Sequence, residues 1–87
     1  MYHVEFTRSA LKTLKKMDKS TAALIYGWIR KNLEGCHNPR IHGKALVANK
    51  SGQWRYRIGD YRILAEINDV EVVILVVNIG HRREIYK

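Results

Sequence analysis

Arginine occupies alternate positions in Trp54-Arg55-Tyr56-Arg57-Ile58, and another stands at Arg62, just past Gly59-Asp60. The spacing suits an extended strand, whose period of two puts Trp54, Tyr56 and Ile58 on one face and both arginines on the other. Gly59-Asp60 is a good two-residue hairpin turn with glycine first. If it forms the loop, Ile58 faces Tyr61 and Arg57 lies opposite Arg62, so three guanidinium groups share one face. Like charges facing each other across a sheet cost up to about 1 kcal/mol, and a purely structural surface would more readily carry Glu or Thr there. A phosphate-binding surface needs this arrangement, because forked guanidinium groups converge on phosphate oxygens and stay charged at any physiological pH. The plainer alternative is a solvated basic strand face.

A second cluster closes the sequence as Gly80-His81-Arg82-Arg83-Glu84-Ile85-Tyr86-Lys87. If the last strand runs antiparallel to its neighbour, its end returns toward Gly59-Asp60 and brings His81, Arg82 and Tyr86 to the end that carries Arg57 and Arg62. The mixture suits RNA cleavage. A cation stabilises charge developing on phosphoryl oxygens, a group titrating near neutrality moves a proton, and an aromatic ring stacks on an unpaired base. Alone, a terminal His and Tyr also fit a frayed basic tail.

The elements that must position these residues are legible from periodicity. Residues 2–7 alternate and read as a short strand. From Arg8 the period becomes helical, with Leu11, Leu14 and Met17 on one face. A second helix runs from near Lys19 to about Glu34, with Ser20 or Thr21 as caps and Ala22, Ile25, Tyr26, Ile29 and Leu33 as its apolar stripe. Trp28 lies beside that stripe, as core edge or as part of a docking surface. Gly35 stops the helix, and Pro39 follows where it could not resume. Residues 36–53 read as a long connection carrying Lys44 and Lys50. Three strands follow, at 54–58, 61–68 and 71–79, the last two turning around Asn68-Asp69. The order β-α-α-β-β-β implies one α+β domain over residues 1–87, with a mostly antiparallel sheet and a helical hairpin packed on one face.

Composition narrows the partner. Sixteen Lys and Arg against eight Asp and Glu give +8 on 87 residues, with a sequence pI near 9.9. Such an excess recruits polyanions, chiefly nucleic acid, an anionic membrane surface or an acidic protein. Cys36 is the one cysteine, which excludes an internal disulfide and fits a reducing cytosol. The alternating start lacks the charged and apolar regions of a secretory signal, and the longest apolar stretch, residues 72–77, is of strand length. The expectation is a cytoplasmic protein without a membrane span. Cys36-His37 with His42 lacks the second cysteine and four placed ligands of a zinc site, so neither metal nor cofactor is expected.

Together the first strand and helical hairpin, Gly43-Lys44-Ala45-Leu46, the run from Ser51 to Arg62, and Gly80-His81-Arg82-Arg83-Glu84-Ile85-Tyr86 resemble the RelE/ParE toxin superfamily over almost the whole chain. The Trp54–Arg62 run and the His-Arg-Arg-Glu-Ile-Tyr ending are most similar to the RelE branch. The resemblance implies the RelE-like fold and the toxin of a type II toxin–antitoxin system. Its activity would be a metal-independent, ribosome-dependent endoribonuclease (an mRNA interferase) that inhibits translation. Such toxins cut mRNA in the decoding site of the 70S ribosome. The ribose 2′-OH attacks the adjacent phosphodiester, so no protein nucleophile is required. Carried over by position, Arg62 and Arg82 would stabilise the scissile phosphate, Tyr86 would stack on or orient the substrate, and Arg55 would bind the backbone, with Lys44, Lys50 and Arg83 as further RNA or ribosome contacts. Position 57 departs from the pattern. The family has a lysine there that is a candidate general base, whereas arginine is a poor proton acceptor. That makes Arg57 electrostatic and His81 the expected base. The resemblance also implies a cognate acidic, RelB-like antitoxin with a flexible segment that wraps the toxin, and promoter DNA bound only through that complex. The ParE-like branch, which inhibits DNA gyrase without nuclease activity, is the alternative, since one fold hosts different functions.

Overall fold

Thr7 begins the helical hairpin by satisfying two demands at once. Its hydroxyl accepts from the Ala10 N–H at 3.1 Å, capping α1 (Arg8–Lys16), and donates to the Val77 carbonyl at 3.2 Å. Lys15 and Lys16 in the last turn complement the helix dipole. The computed structural model describes residues 1–45 and 53–81; the expectations placed on Lys50, Arg82, Arg83 and Tyr86 lie outside the described residues. In α2 (Lys19–Asn32) the cap is Asp18 rather than Ser20 or Thr21, because its carboxylate reaches back to the Thr21 N–H at 3.3 Å. Ser20 sits inside the helix and donates its hydroxyl to Asp18. Gly35, at φ 79°, follows the helix end in the left-handed conformation that glycine adopts freely.

The strands are β1 (His3–Phe6), β2 (Gly43–Ala45), β3 (Gln53–Ile58), β4 (Tyr61–Asn68) and β5 (Val73–His81), in the sheet order β1-β5-β4-β3-β2. β1 pairs parallel with β5, and every other pairing is antiparallel. The architecture is α+β, as expected. Its core joins Ala10, Ile25, Ile29 and Leu33 of the helical hairpin to Tyr56, Ile58, Ile63, Ala65, Ile74, Val76 and Ile79 of the sheet. Each such aliphatic side chain contributes about 1.5–3 kcal/mol by leaving water. Leu11, expected on the buried face of α1, is 43% exposed, because Ala10 and Leu14 carry the inward stripe. Trp28 is half-buried, 5.8 Å from the Tyr56 ring, and so belongs to the core edge.

Two boundaries differ from the periodicity. The connection before the sheet contains a 3-10 turn at Pro39–His42 and then β2, so it adds an edge strand. Between β4 and β5 the turn spans residues 69–72 and delays the strand from 71 to 73. The Asn68 side chain accepts from the Val70 and Glu71 N–H groups at 3.0 and 2.9 Å, which withdraws both from the ladder. Val72 then takes φ 58°, a strained conformation for a β-branched residue.

Candidate functional site

The hairpin turn sets the register of the basic face. Gly59 has φ 58° and Asp60 is not in the positive-φ region, the pattern of a type II′ turn. Ile58 pairs with Tyr61 and Arg57 with Arg62, as the turn requires. On the other side of β3, Lys44 pairs with Arg55. Two successive cross-strand pairs of cations therefore run over β2, β3 and β4, on the face opposite the helices. Four like charges so arranged cost roughly 1 kcal/mol or more before solvent screening. No packing of the core requires them there.

The four differ in how they are held. Lys44 and Arg57 are exposed, Arg55 is half-buried, and Arg62 is only 4% exposed. The burial of Arg62 differs from the open, solvated position expected for it. Its guanidinium folds back on the turn and donates to the Tyr61 carbonyl at 3.2 Å, with the Gly59 carbonyl a further 3.5 Å neighbour. Such bonds hold the planar fork before any ligand arrives. Lys44, Arg55 and Arg57 line a groove of about 260 Å³ with Ile41, His42 and Gly43.

The turn that forms one wall of this groove is anchored on three sides. The Tyr56 hydroxyl donates to the Pro39 carbonyl at 2.7 Å from within the core, and burial pushes the Tyr56 phenol far above its ordinary pKa. Arg40 donates twice to Asp69, at 3.0 and 2.9 Å, while its guanidinium lies 5.9 Å from the centre of the Trp54 ring. The Tyr2 hydroxyl donates to the same carboxylate at 2.6 Å. Hydrogen bonds from Arg40 and then Tyr2 hold Asp69 below the usual carboxylate range. Gly43 completes the brace through its missing side chain, since a Cβ there would stand 2.2 Å from the Arg55 carbonyl and 2.8 Å from Trp54 Nε1.

His81 is at the expected end of the sheet but on its other face. It pairs with Tyr61, and the two rings meet edge to face at 5.5 Å. Both border a hollow with Thr13, Lys16 and Met17 from the end of α1. The cause is a bulge opposite Leu64/Ala65: Leu64 pairs with Asn78 and Ala65 with Val76, which leaves Val77 as an extra residue. One inserted residue inverts the facing of all that follow in the strand. Without it His81 would share the face of Arg62. The structure therefore brings together Lys44, Arg55, Arg57 and Arg62 but separates His81 from them.

His42 is the residue that sequence reasoning passed over. It was weighed only as a metal ligand, yet it lines the cationic groove, and its ring meets Trp28 edge to face at 6.1 Å. The signal lay in its place one residue before the Gly43-Lys44 pair, hidden by reading residues 36–53 as a loop. Among the described residues no group of three or more His, Cys, Asp or Glu side chains is arranged to hold a metal ion, and no helix is long and apolar enough to cross a membrane.

A second groove, of about 490 Å³, occupies the opposite end of the open face. Glu5, Glu66, Asp69 and Glu71 line it together with Val73 and Leu75. The open face is thus cationic where β3 turns into β4 and acidic where β4 turns into β5.

Comparison with known proteins agrees with this architecture. Residues 4–86 match the model of the family described as the ParE toxin of type II toxin–antitoxin system, parDE. The chain is 29% identical over 86 residues to the toxin RelG of Mycobacterium tuberculosis, covering 99% of this chain and 97% of the relative. The toxin–antitoxin complex RelBE2 of Mycobacterium tuberculosis contains a chain that superposes with a TM-score of 0.83 at 28% identity, covering 93% of this chain and 91% of that one. The isolated RelE toxin of Escherichia coli has the same fold, with a TM-score of 0.73 at 22% identity and coverage of 99% and 92%. A family match over nearly the whole length, with relatives of the same size and fold, makes this chain a member of the RelE/ParE superfamily of type II toxin–antitoxin toxins.

Proposed function

We propose that this toxin is a ribosome-dependent endoribonuclease that cleaves mRNA in the decoding site. The observation that carries the reading is the double row of cations, Lys44 with Arg55 and Arg57 with Arg62, held on the open face of the sheet. In the proposed reaction the substrate supplies its own nucleophile, the ribose 2′-OH. It attacks the adjacent phosphorus to leave a 2′,3′-cyclic phosphate and a free 5′-OH. The protein then has to position the phosphodiester and stabilise the charge that builds on its non-bridging oxygens. Arg62, with its fork fixed at the turn, stabilises that charge, and exposed Arg57 adds a second cation. Lys44 and Arg55 hold the backbone of the flanking nucleotides. Arg82 and Tyr86 keep the roles that the family resemblance implies, charge stabilisation and stacking, and Lys50 and Arg83 remain ribosome or RNA contacts.

The partner that restrains such a toxin is an antitoxin. An acidic, flexible chain complements +8 on 87 residues, with steering as well as affinity. The superposable chain of the Mycobacterium tuberculosis complex is solved together with its antitoxin. Promoter DNA is reached through that complex.

Primer extension on an mRNA translated in a purified system tests the activity. Cuts at decoding-site codons that require ribosomes, and that disappear with Arg62→Ala or Arg82→Ala, are the expected result. Intact mRNA under a wild-type protein that still arrests growth would overturn it in favour of gyrase inhibition.

A further inference from the structure

The cationic groove stabilises charge, but cleavage by a 2′-OH also needs a group to take its proton. His81 points to the helical side, and arginine is a poor acceptor. Among the described residues lining the groove, His42 is the side chain whose type ordinarily titrates near neutrality. We propose that His42 is the general base of the ribonuclease reaction, an assignment that rests on the reading of the preceding section.

Three features of the fold aim it there. Pro39, at the first position of the 3-10 turn, is tied down by the Tyr56 hydroxyl, and the Asn38 side chain caps the turn by accepting from the Arg40 N–H at 3.1 Å. Gly43 then lets the chain press against Trp54 and enter β2 directly. As the last residue of the 3-10 turn, His42 lines the groove together with Lys44, Arg55 and Arg57. The imidazole meets Trp28 of α2 edge to face at 6.1 Å, which holds it at the β2 edge, between the helical side and the groove it lines. A phosphate held by Arg57 and Arg62 would therefore present its neighbouring ribose toward the β2 edge, where His42 stands.

The charged groups facing the imidazole are Lys44 from β2 and Arg55 and Arg57 from β3; α2 contributes the uncharged Trp28, and Arg40 of the same turn is engaged by Asp69. No carboxylate is among the described residues that line this groove. In the step itself the 2′-OH proton passes to the imidazole as the O2′–P bond forms. The P–O5′ bond breaks with its electron pair on the 5′ oxygen, and that oxygen takes a proton from water. The imidazolium returns its proton to solvent.

The test is single-turnover cleavage on programmed ribosomes by the full chain, His42→Gln and His81→Gln, across the range in which histidine titrates, about pH 5 to 8. His42→Gln should lower the rate about 10²-fold or more and remove the rise in rate with pH, while binding to the ribosome stays unchanged. A second variant, His42→Gly, should recover rate when free imidazole is added, which Arg57→Ala should not. A wild-type pH profile in His42→Gln would overturn the assignment, as would loss of the pH dependence in His81→Gln alone or failure of imidazole to rescue. Absence of any cleavage by the wild-type chain would instead overturn the ribonuclease reading, and this assignment with it.

Discussion

The two ends of the open face use charge differently. At the β4–β5 end three of the four carboxylates of the groove are engaged by neighbours: Asp69 by Arg40 and Tyr2, Glu71 by the Asn68 amide, and Glu66 by the Gln53 amide. They close a turn and brace a neighbouring segment. At the β3–β4 end the like charges are stacked two pairs deep, and Lys44 and Arg57 are left exposed. An arrangement that costs stability at one end, beside one that contributes it at the other, supports placing the proposed site at the first. The acidic end serves it indirectly, since Asp69 holds the turn that forms the wall of the cationic groove.

The comparison can be broken at several points. Arg62→Ala removes the fixed fork, and ribosome-dependent cleavage should fall about 10²-fold or more, the size expected for losing one preorganised charge-stabilising donor; Arg62→Lys, which keeps the charge but not the fork, should recover part of that loss. A rate unchanged by Arg62→Ala would show the paired cations to be surface only. Gly43→Ala forces a Cβ against the Arg55 carbonyl and should cost about 1–3 kcal/mol in chemical denaturation, with loss of β2 amide protection in hydrogen exchange. Tyr56→Phe leaves the Pro39 carbonyl without its buried donor and should cost about 1–2 kcal/mol, measured in the same way.

Acid should separate the two ends further. The Asp69 carboxyl is held below its ordinary pKa, so its contribution is present above the usual carboxylate value and is lost as pH falls through the lowered one. Thermal melts of Asp69→Asn should accordingly show a flatter decline on the acid side than wild type; parallel curves would remove Asp69 from the brace. The smallest effect is expected from Glu71→Gln at the acidic end, which should leave cleavage within about twofold, as is usual for an exposed site away from the chemistry. A larger change would join the two ends into one site.

Much of this was legible before the fold. Gly59-Asp60 fixes a two-residue loop, so the Arg57–Arg62 pair followed from counting outward from it. The alternation of Trp54, Tyr56 and Ile58 gave the facing of β3, and the helical hairpin followed from its apolar period. The rest depended on contacts distant in sequence. Gly43-Lys44-Ala45 is too short for a periodic signal and becomes a strand because Gly43 can lie against Trp54 and the Arg55 carbonyl. Arg62 reads as solvated in any alternating pattern, and its burial depends on how its side chain folds over the turn. His81 was legible at the right end, but its face was not, because the strand pattern carries no mark of the extra residue at Val77.

That extra residue makes β5 a strand with two possible endings. Thr7 donates to the Val77 carbonyl, so the cap of the first helix also holds the bulge in place. Taking Val77 into the ladder, with the sequence unchanged, would restore an uninterrupted alternation, turn His81 toward Arg62 and bring Ile79 out of the core; deleting Val77 would leave residues 78–81 facing as they do now. A one-residue shift of register past the bulge would thus exchange an imidazole on the helical side for one on the cationic side without changing a single side chain. Within this fold the face that the end of the last strand presents is set by register as much as by residue type, and the Thr7 hydroxyl, bonded to the Val77 carbonyl, is one contact that favours the register seen here.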